Sequence, residues 1–374
     1  MRIIISINTA WNIFNFRKGL IKTLQSQGHQ IFAMAPSDEY VSRIEEMGVQ
    51  FIPVNLDQKG INPFKDLSLV KQYYNLFNSI KPDLILSYTI KPNIYGNLAA
   101  RVLKIQTINN ISGLGTIFIK KNLISYLGKT LYRLALSSSE HVFFQNTKDR
   151  KLFLKSKLIS NTKHSVIAGS GVDTDIFKSN KKTNKAQRFL FSGRLIRDKG
   201  VLEYLNAASA VLEKFPDREF LLTGELGANN KTALSKEELE VFTDKFKQIK
   251  YLGKNDDMAK ILRGVDVMIL PSYREGLSKS LIEAASMKLP IITTDVPGCN
   301  EVVKHNYNGV LCKPQCTESL IKAIEKMIIL SAKERHNMGV NGRSLVEKYF
   351  KEELVIQNYS NQIDKIKTRT LTER

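Results

Sequence analysis

Short apolar runs rich in β-branched residues alternate along this chain with segments of helical patterning. Ile3 to Ile7, Gln30 to Ala35, Gln50 to Val54, Leu84 to Ser87, Thr107 to Ile111 and His141 to Gln145 read as strands. Between them, stretches such as Arg17 to Gln27 and Asp66 to Ile80 place apolar residues at helical spacing. Such alternation predicts a parallel sheet with helices on both faces. After about residue 168 the pattern restarts with Arg188 to Ser192, Glu219 to Thr223, Ile249 to Leu252, Val267 to Leu270, Ile291 to Thr294 and Val310 to Cys312. A chain of 374 residues is too long for one ordinary core. The predicted fold is therefore α/β, two doubly wound Rossmann-like domains over 1–170 and 188–350, joined by 171–187. Within that joint, Lys178 to Lys185 is polar, basic and without periodicity. Open sheets bind ligands at the carboxyl ends of their strands, so two facing domains predict a central cleft.

The stretch Pro271 to Glu283 carries the most chemistry. A strand over Val265 to Leu270 leads into Pro271-Ser272-Tyr273-Arg274-Glu275-Gly276-Leu277, and Ser278 is the expected N-cap of a helix whose apolar face begins at Leu281 and Ile282. A helix start offers unpaired amides and the positive end of the dipole, so Gly276, Leu277, Ser278, Lys279 and Ser280 form a seat for a diphosphate. Glu275, just before the helix, is placed to accept hydrogen bonds from sugar hydroxyls. Glu283, two turns on, is placed to accept both hydroxyls of a ribose. The alternative is a solvated helix face; the strand, the capped helix and a second strand leading to Pro297-Gly298 favour the site.

Composition narrows the rest. With 43% apolar and 25% charged residues the chain is globular. Three cysteines, Cys299, Cys312 and Cys316, and five scattered histidines give no zinc spacing, and a reduced, cytoplasmic setting is expected. The opening apolar run is too short for a signal peptide, and no stretch approaches the ~20 apolar residues that span a bilayer. Membrane contact is then peripheral. No glycine follows the first strand until Gly19, which argues against a dinucleotide fingerprint. The net charge is +20, and residues 1–168 hold 22 Lys and Arg against 9 Asp and Glu. Between Asp83 and Glu140 there is no acidic residue, so this half expects an anion.

The Glu275 to Glu283 block resembles the E-x7-E region of family 4 glycosyltransferases, retaining enzymes of two-domain GT-B architecture. Ser192 to Gly200 resembles the family's arginine and lysine loop, and Gly171-Val172-Asp173 with Phe177 resembles its interdomain signature. The likeness is strongest over about 165–310. It implies a UDP-sugar as co-substrate, no metal or other cofactor, and a last helix near 351–370 crossing back onto the first domain. It assigns Arg194 and Lys199 to the departing diphosphate, with Gly193 beside them, and makes Glu275, Arg194 and Lys199 the catalytic set. Tyr251 and Leu252 fall beside the nucleotide base, where Tyr251 is either a base contact or a core aromatic. Many members carry a histidine where this chain reads Asn109 to Gly115; Gly113 to Gly115 either approach the sugar or form a structural turn.

Residues 119–134, with further likeness in Phe14 to Gly19, Leu56 to Pro63 and Ile90 to Gly96, resemble the acceptor side of bacterial α-1,3-N-acetylgalactosaminyltransferases that extend undecaprenyl-diphosphate-linked saccharides. That likeness implies an N-acetylhexosamine donor such as UDP-GalNAc and a lipid-diphosphate-linked acceptor, used on the inner face of the cell membrane. Arg17 and Lys91 are the candidates for anionic parts of the acceptor, the alternative being plain surface cations. Residues 119–134, with Lys120, Lys121, Lys129 and Arg133, suit either an anionic membrane surface or an ordinary amphipathic helix. Two other functions compete with transfer: a UDP-sugar epimerase of the same architecture, and a basic nucleic-acid-binding protein. The pI of about 9.7 permits the latter. No helix-turn-helix, zinc-finger or aromatic RNA motif supports it, and no nucleic-acid partner is expected.

Overall fold

Each of two parallel sheets grows outward in both directions from a central pair of strands. The computed structural model describes residues 1–57, 62–114, 123–159, 163–179, 186–227, 230 and 232–372. The chain divides into one unit of Met1–Ser170 with Glu353–Arg374 and a second of Gly171–Glu352.

Among the described residues, the first unit holds β1 (Arg2–Ser6), β2 (Gln30–Ala35), β3 (Gln50–Pro53), β4 (Leu84–Tyr88), β5 (Gln106–Ile111), β6 (His141–Phe144) and β7 (His164–Val166). Their order is β3-β2-β1-β4-β5-β6-β7, parallel throughout. Strand β1 shows why: Ile3 and Ile5 are buried on one face with the helix Ala10–Ser26, while Ile4 is buried on the other with the helix Pro63–Ile80. A strand buried on both sides has no polar face to alternate with, hence its unbroken isoleucines. The terminal helix Glu352–Thr372 packs Val355, Tyr359, Ile363 and Ile366 into this same core. Their spacing of four, four and three residues gives one apolar stripe.

The second unit holds β8 (Arg188–Ser192), β9 (Glu219–Thr223), β10 (Ile249–Tyr251), β11 (Val267–Leu270), β12 (Ile291–Thr294) and β13 (Gly309–Cys312), ordered β10-β9-β8-β11-β12-β13. Here too every pair is parallel.

Two expectations need revision. Strand β7 escaped the sequence because its three residues, partly exposed at the sheet edge, carry no apolar alternation. The start of the expected joint is fixed on the second unit: Val172 N–H donates to Phe350 O (2.9 Å), and Glu352 N–H returns to Val172 O (3.0 Å). The Arg343 guanidinium then holds the carbonyls of Thr174, Phe177 and Ser286. Of the polar basic stretch, residues 180–185 lie outside the described residues.

Candidate active site

In the second unit the strand order reverses between β8 and β11, where open α/β sheets form their ligand crevices. Two loops meet there. The loop after β8 is threaded by backbone bonds from Gly193 N–H to Thr223 O, Leu195 N–H to Glu225 O and Leu234 N–H to Leu195 O. It ends in a single turn, Arg197–Lys199, closed by Gly200 at φ +73°. A β-carbon on Gly200 would lie 2.1 Å from Pro271 O, so only glycine lets this loop rest on the turn after β11. Asp198 O accepts from Tyr273 N–H (2.9 Å) and Ser272 Oγ (3.2 Å), completing the junction.

The junction brings Lys199 Nζ into a hydrogen-bonded ion pair with Glu275 Oε1, the two side chains only 21% and 11% exposed. A third loop holds Glu275 from behind: its N–H donates to Pro297 O, and Ser278 N–H donates to Gly298 O, each at 3.0 Å. Glu301 anchors that loop through Gly298 N–H. Tyr273 adds a further brace, its hydroxyl donating to Glu203 Oε1 at 2.6 Å. Sequence reading missed Glu203 and Glu301, since nothing in their spacing ties them to residue 273 or 298.

Ser278 is the N-cap of the helix Lys279–Ser286, as expected, but its hydroxyl makes no capping bond and faces Ser280 Oγ at 3.3 Å. Its own amide is spent on Gly298, so Ser278 N–H drops out of the expected diphosphate seat. An uncapped helix start keeps its attraction for an anion. On this helix Glu283 is buried, and its carboxyl group makes no hydrogen bond or ion pair among the described residues. Desolvation pushes its carboxyl up to about 7, against a smaller lowering by Lys279.

Arg194 is exposed and forms no ion pair among the described residues, leaving its guanidinium available. Tyr251 is half-buried and its hydroxyl donates to Gly224 O (2.8 Å), which fixes the end of β10 against the loop after β9. Leu252 beside it is 40% exposed. The Tyr251 hydroxyl is thus committed to the chain itself, and its ring is neither fully core nor fully exposed.

The first unit separates its two acceptor candidates. Lys91 is not a surface cation: Nζ lies 2.7 Å from Asp66 Oδ1, with both side chains largely buried, and Tyr95 donates to the other carboxylate oxygen at 2.8 Å. The partner that neutralises it sits 25 residues earlier, on the first turn of the helix Pro63–Ile80, a pairing no local pattern announces. Arg17 falls on the apolar stripe of the helix Ala10–Ser26 and is 4% exposed, its guanidinium 4.1 Å above the Tyr88 ring. Lys120 and Lys121 lie outside the described residues, as does Gly115. Asn110, in the segment where the family resemblance leads one to expect a histidine, is buried and committed internally: Nδ2 donates to Tyr359 Oη, and Oδ1 accepts from Gln145 and Ser112.

Among the described residues, no group of three or more His, Cys, Asp or Glu is placed to hold a metal ion, and no helix is long and apolar enough to cross a membrane.

Two doubly wound parallel-sheet units are the two halves of the GT-B architecture. Two family models match in tandem, "Glycosyl transferase 4-like" over residues 2–146 and "Glycosyl transferases group 1" over 172–345, and the chain belongs to the family 4 glycosyltransferases. It is 26% identical over 98% of its length, and 99% of the relative's, to a Campylobacter jejuni N,N'-diacetylbacillosaminyl-diphospho-undecaprenol α-1,3-N-acetylgalactosaminyltransferase. An Escherichia coli UDP-Gal:α-D-GlcNAc-diphosphoundecaprenol α-1,3-galactosyltransferase is 27% identical over 78% of this chain and 79% of its own. Among solved structures, Anabaena HepE in complex with UDP and glucose superposes with a TM-score of 0.80 at 15% identity, over 98% of this chain and 100% of that one. A Rickettsia africae glycosyltransferase gives 0.78 at 20% identity, over 98% of each.

Proposed function

We propose that this glycosyltransferase moves an N-acetylhexosamine, such as GalNAc from UDP-GalNAc, onto a saccharide carried by undecaprenyl diphosphate, with retention at the anomeric carbon. The observation that carries the donor half is the Lys199–Glu275 pair beside an uncapped helix start and the unpartnered, buried Glu283. The names of the Campylobacter jejuni and Escherichia coli relatives support the acceptor half.

In this reading Glu283 takes the ribose hydroxyls and the amides at the head of its helix take the diphosphate. Glu275 takes a sugar hydroxyl, while Lys199 and Arg194 balance the charge that grows on the leaving phosphate. The acceptor oxygen bonds to the anomeric carbon on the face from which the phosphate oxygen departs, and its proton passes to that phosphate. The two cations stand where a divalent metal would otherwise be needed, so transfer proceeds with a chelator present. The excess of positive charge serves phosphates of substrate and lipid rather than nucleic acid. The chain works at the inner membrane face as a peripheral protein, where the exposed Tyr126, Leu127 and Leu134 of the helix Leu123–Leu136 meet lipid.

The test is a screen of nucleotide sugars read by released UDP, followed by transfer of the radiolabelled sugar to a synthetic polyprenyl-diphosphate saccharide and assignment of the new anomer. Transfer with retention is expected. Absence of transfer from every common nucleotide sugar defeats the proposal, and conversion of a UDP-sugar without acceptor would replace it with epimerisation.

A further inference from the structure

A buried arginine without a carboxylate is costly, because its guanidinium keeps its charge at any physiological pH and the interior offers no water to solvate it. Arg17 is in that position. Its one bond is from Nη1 to Phe16 O (3.2 Å); Nε is buried with no partner, and no acidic side chain pairs with it among the described residues. The guanidinium lies over Tyr88, the last residue of β4, whose own buried hydroxyl has the Tyr359 hydroxyl beside it but makes no well-formed hydrogen bond. The Tyr359 hydroxyl accepts from Asn110 near the end of β5, and Asn110 in turn accepts from Gln145 just past β6. The unused Arg17 Nε and the Tyr88 hydroxyl therefore sit beside this chain of bonds at the carboxyl edge of β4, β5 and β6, the edge at which such sheets bind ligands.

We propose that Arg17, with the Tyr88 hydroxyl, forms a phosphate subsite in the first unit, separate from the donor seat on the second, and that it takes the diphosphate of the acceptor. The occupant supplies the missing negative charge: a planar guanidinium fork matches phosphate oxygens, and the phenol adds a neutral donor. Assigning that phosphate to the acceptor rests on the proposed function; the subsite itself does not.

The test uses the full chain with UDP at saturation, so that the donor seat is filled, and two separate probes, inorganic pyrophosphate and a short-chain prenyl diphosphate. Trp11, the chain's only tryptophan, lies on the same helix as Arg17 and reports binding by fluorescence. Both probes should bind the wild-type chain, and Arg17→Met should weaken both about tenfold or more while leaving UDP affinity unchanged. Arg17→Lys, which keeps a charge but loses the fork, should fall between. Without ligand, Arg17→Met should unfold at the same or a higher temperature, since it removes an uncompensated buried charge. Equal probe affinity in wild type and Arg17→Met overturns the subsite, as does a lower unfolding temperature of that variant with probe binding intact, the mark of a structural arginine. Binding of pyrophosphate with exclusion of the prenyl diphosphate overturns the acceptor assignment in favour of a free phosphate. Failure of UDP to bind strikes the donor reading alone, and the same comparison run without UDP still decides the subsite.

Discussion

Lys199 donates from Nζ to Glu275 Oε1, joining the loop after β8 to the turn after β11. Each residue answers the other's charge in the free protein; under the proposed function, donor binding exchanges this contact for phosphate on the lysine and a sugar hydroxyl on the glutamate. Lys199→Ala and Glu275→Ala should each lower kcat by about 10²–10³-fold. The double variant should lose much less than the product of the two, because either substitution already breaks the pair. Full multiplicativity in initial-rate measurements would show that the two act independently.

Glu283 gives stability a pH dependence of known sign. Burial holds its carboxyl at about 7, above the ordinary value of 4.5, so the folded chain keeps a proton that the unfolded chain releases. Stability should therefore fall as pH rises from about 4.5 to about 7, by roughly 3 kcal/mol from this group. Glu283→Gln should flatten that slope and be the more stable protein at pH 8 in urea unfolding. It should also bind UDP more weakly, since the amide replaces one ribose-facing acceptor with a donor.

The fold was legible because buried parallel strands leave unbroken apolar runs: twelve of the strands described coincide, within a residue or two at each end, with runs visible in the sequence. The partly exposed edge strand β7 left none. At the site, Glu275, Ser278 and Glu283 were readable because one turn and one helix hold all three. Lys199 was reached through its resemblance to a family loop, but its partner was not, since the contact spans 76 residues. Arg17 and Lys91 look alike in sequence, as basic residues in a basic half. The structure separates them by what lies opposite: a carboxylate for Lys91, a tyrosine ring for Arg17.

That difference predicts opposite behaviour for Lys91. Lys91→Met leaves Asp66 buried with only Tyr95 as partner, and should destabilise the protein by about 3 kcal/mol. The paired change Lys91→Met with Asp66→Leu should recover much of that loss, as replacement of a buried ion pair by apolar residues often does. Acceptor KM should stay near the wild-type value in the double variant. A large rise in KM without loss of stability would return Lys91 to substrate binding.

The helix Leu123–Leu136 exposes Tyr126 at 73% and Leu127 at 54%, apolar side chains one residue apart on its outer face. Arg133 on the same helix is turned onto Lys157 O; under the proposed membrane contact, the two exposed apolar side chains are the ones to test. Co-sedimentation with vesicles containing anionic lipid should drop several-fold for Leu127→Glu. Unchanged sedimentation would place the membrane contact elsewhere.

Gly298 tests whether the position of Glu275 matters to the reaction apart from its charge. At φ +81° a β-carbon on residue 298 would fall 2.5 Å from both Cβ and the carbonyl oxygen of Glu275. Gly298→Ala must therefore push the 275 turn away, beyond the roughly 1–2 kcal/mol of backbone strain that the left-handed conformation imposes on alanine. Gly227→Ala is the control, because Gly227 has a similar φ of +64° with nothing within 4 Å of the added carbon. The expected result is a loss of kcat of tenfold or more for Gly298→Ala, with UDP affinity little changed, since Glu283 sits two turns further along the helix. Gly227→Ala should cost stability alone. Equal turnover in the two variants, measured as initial rates at saturating donor, would mean that displacing Glu275 does not slow the chemical step.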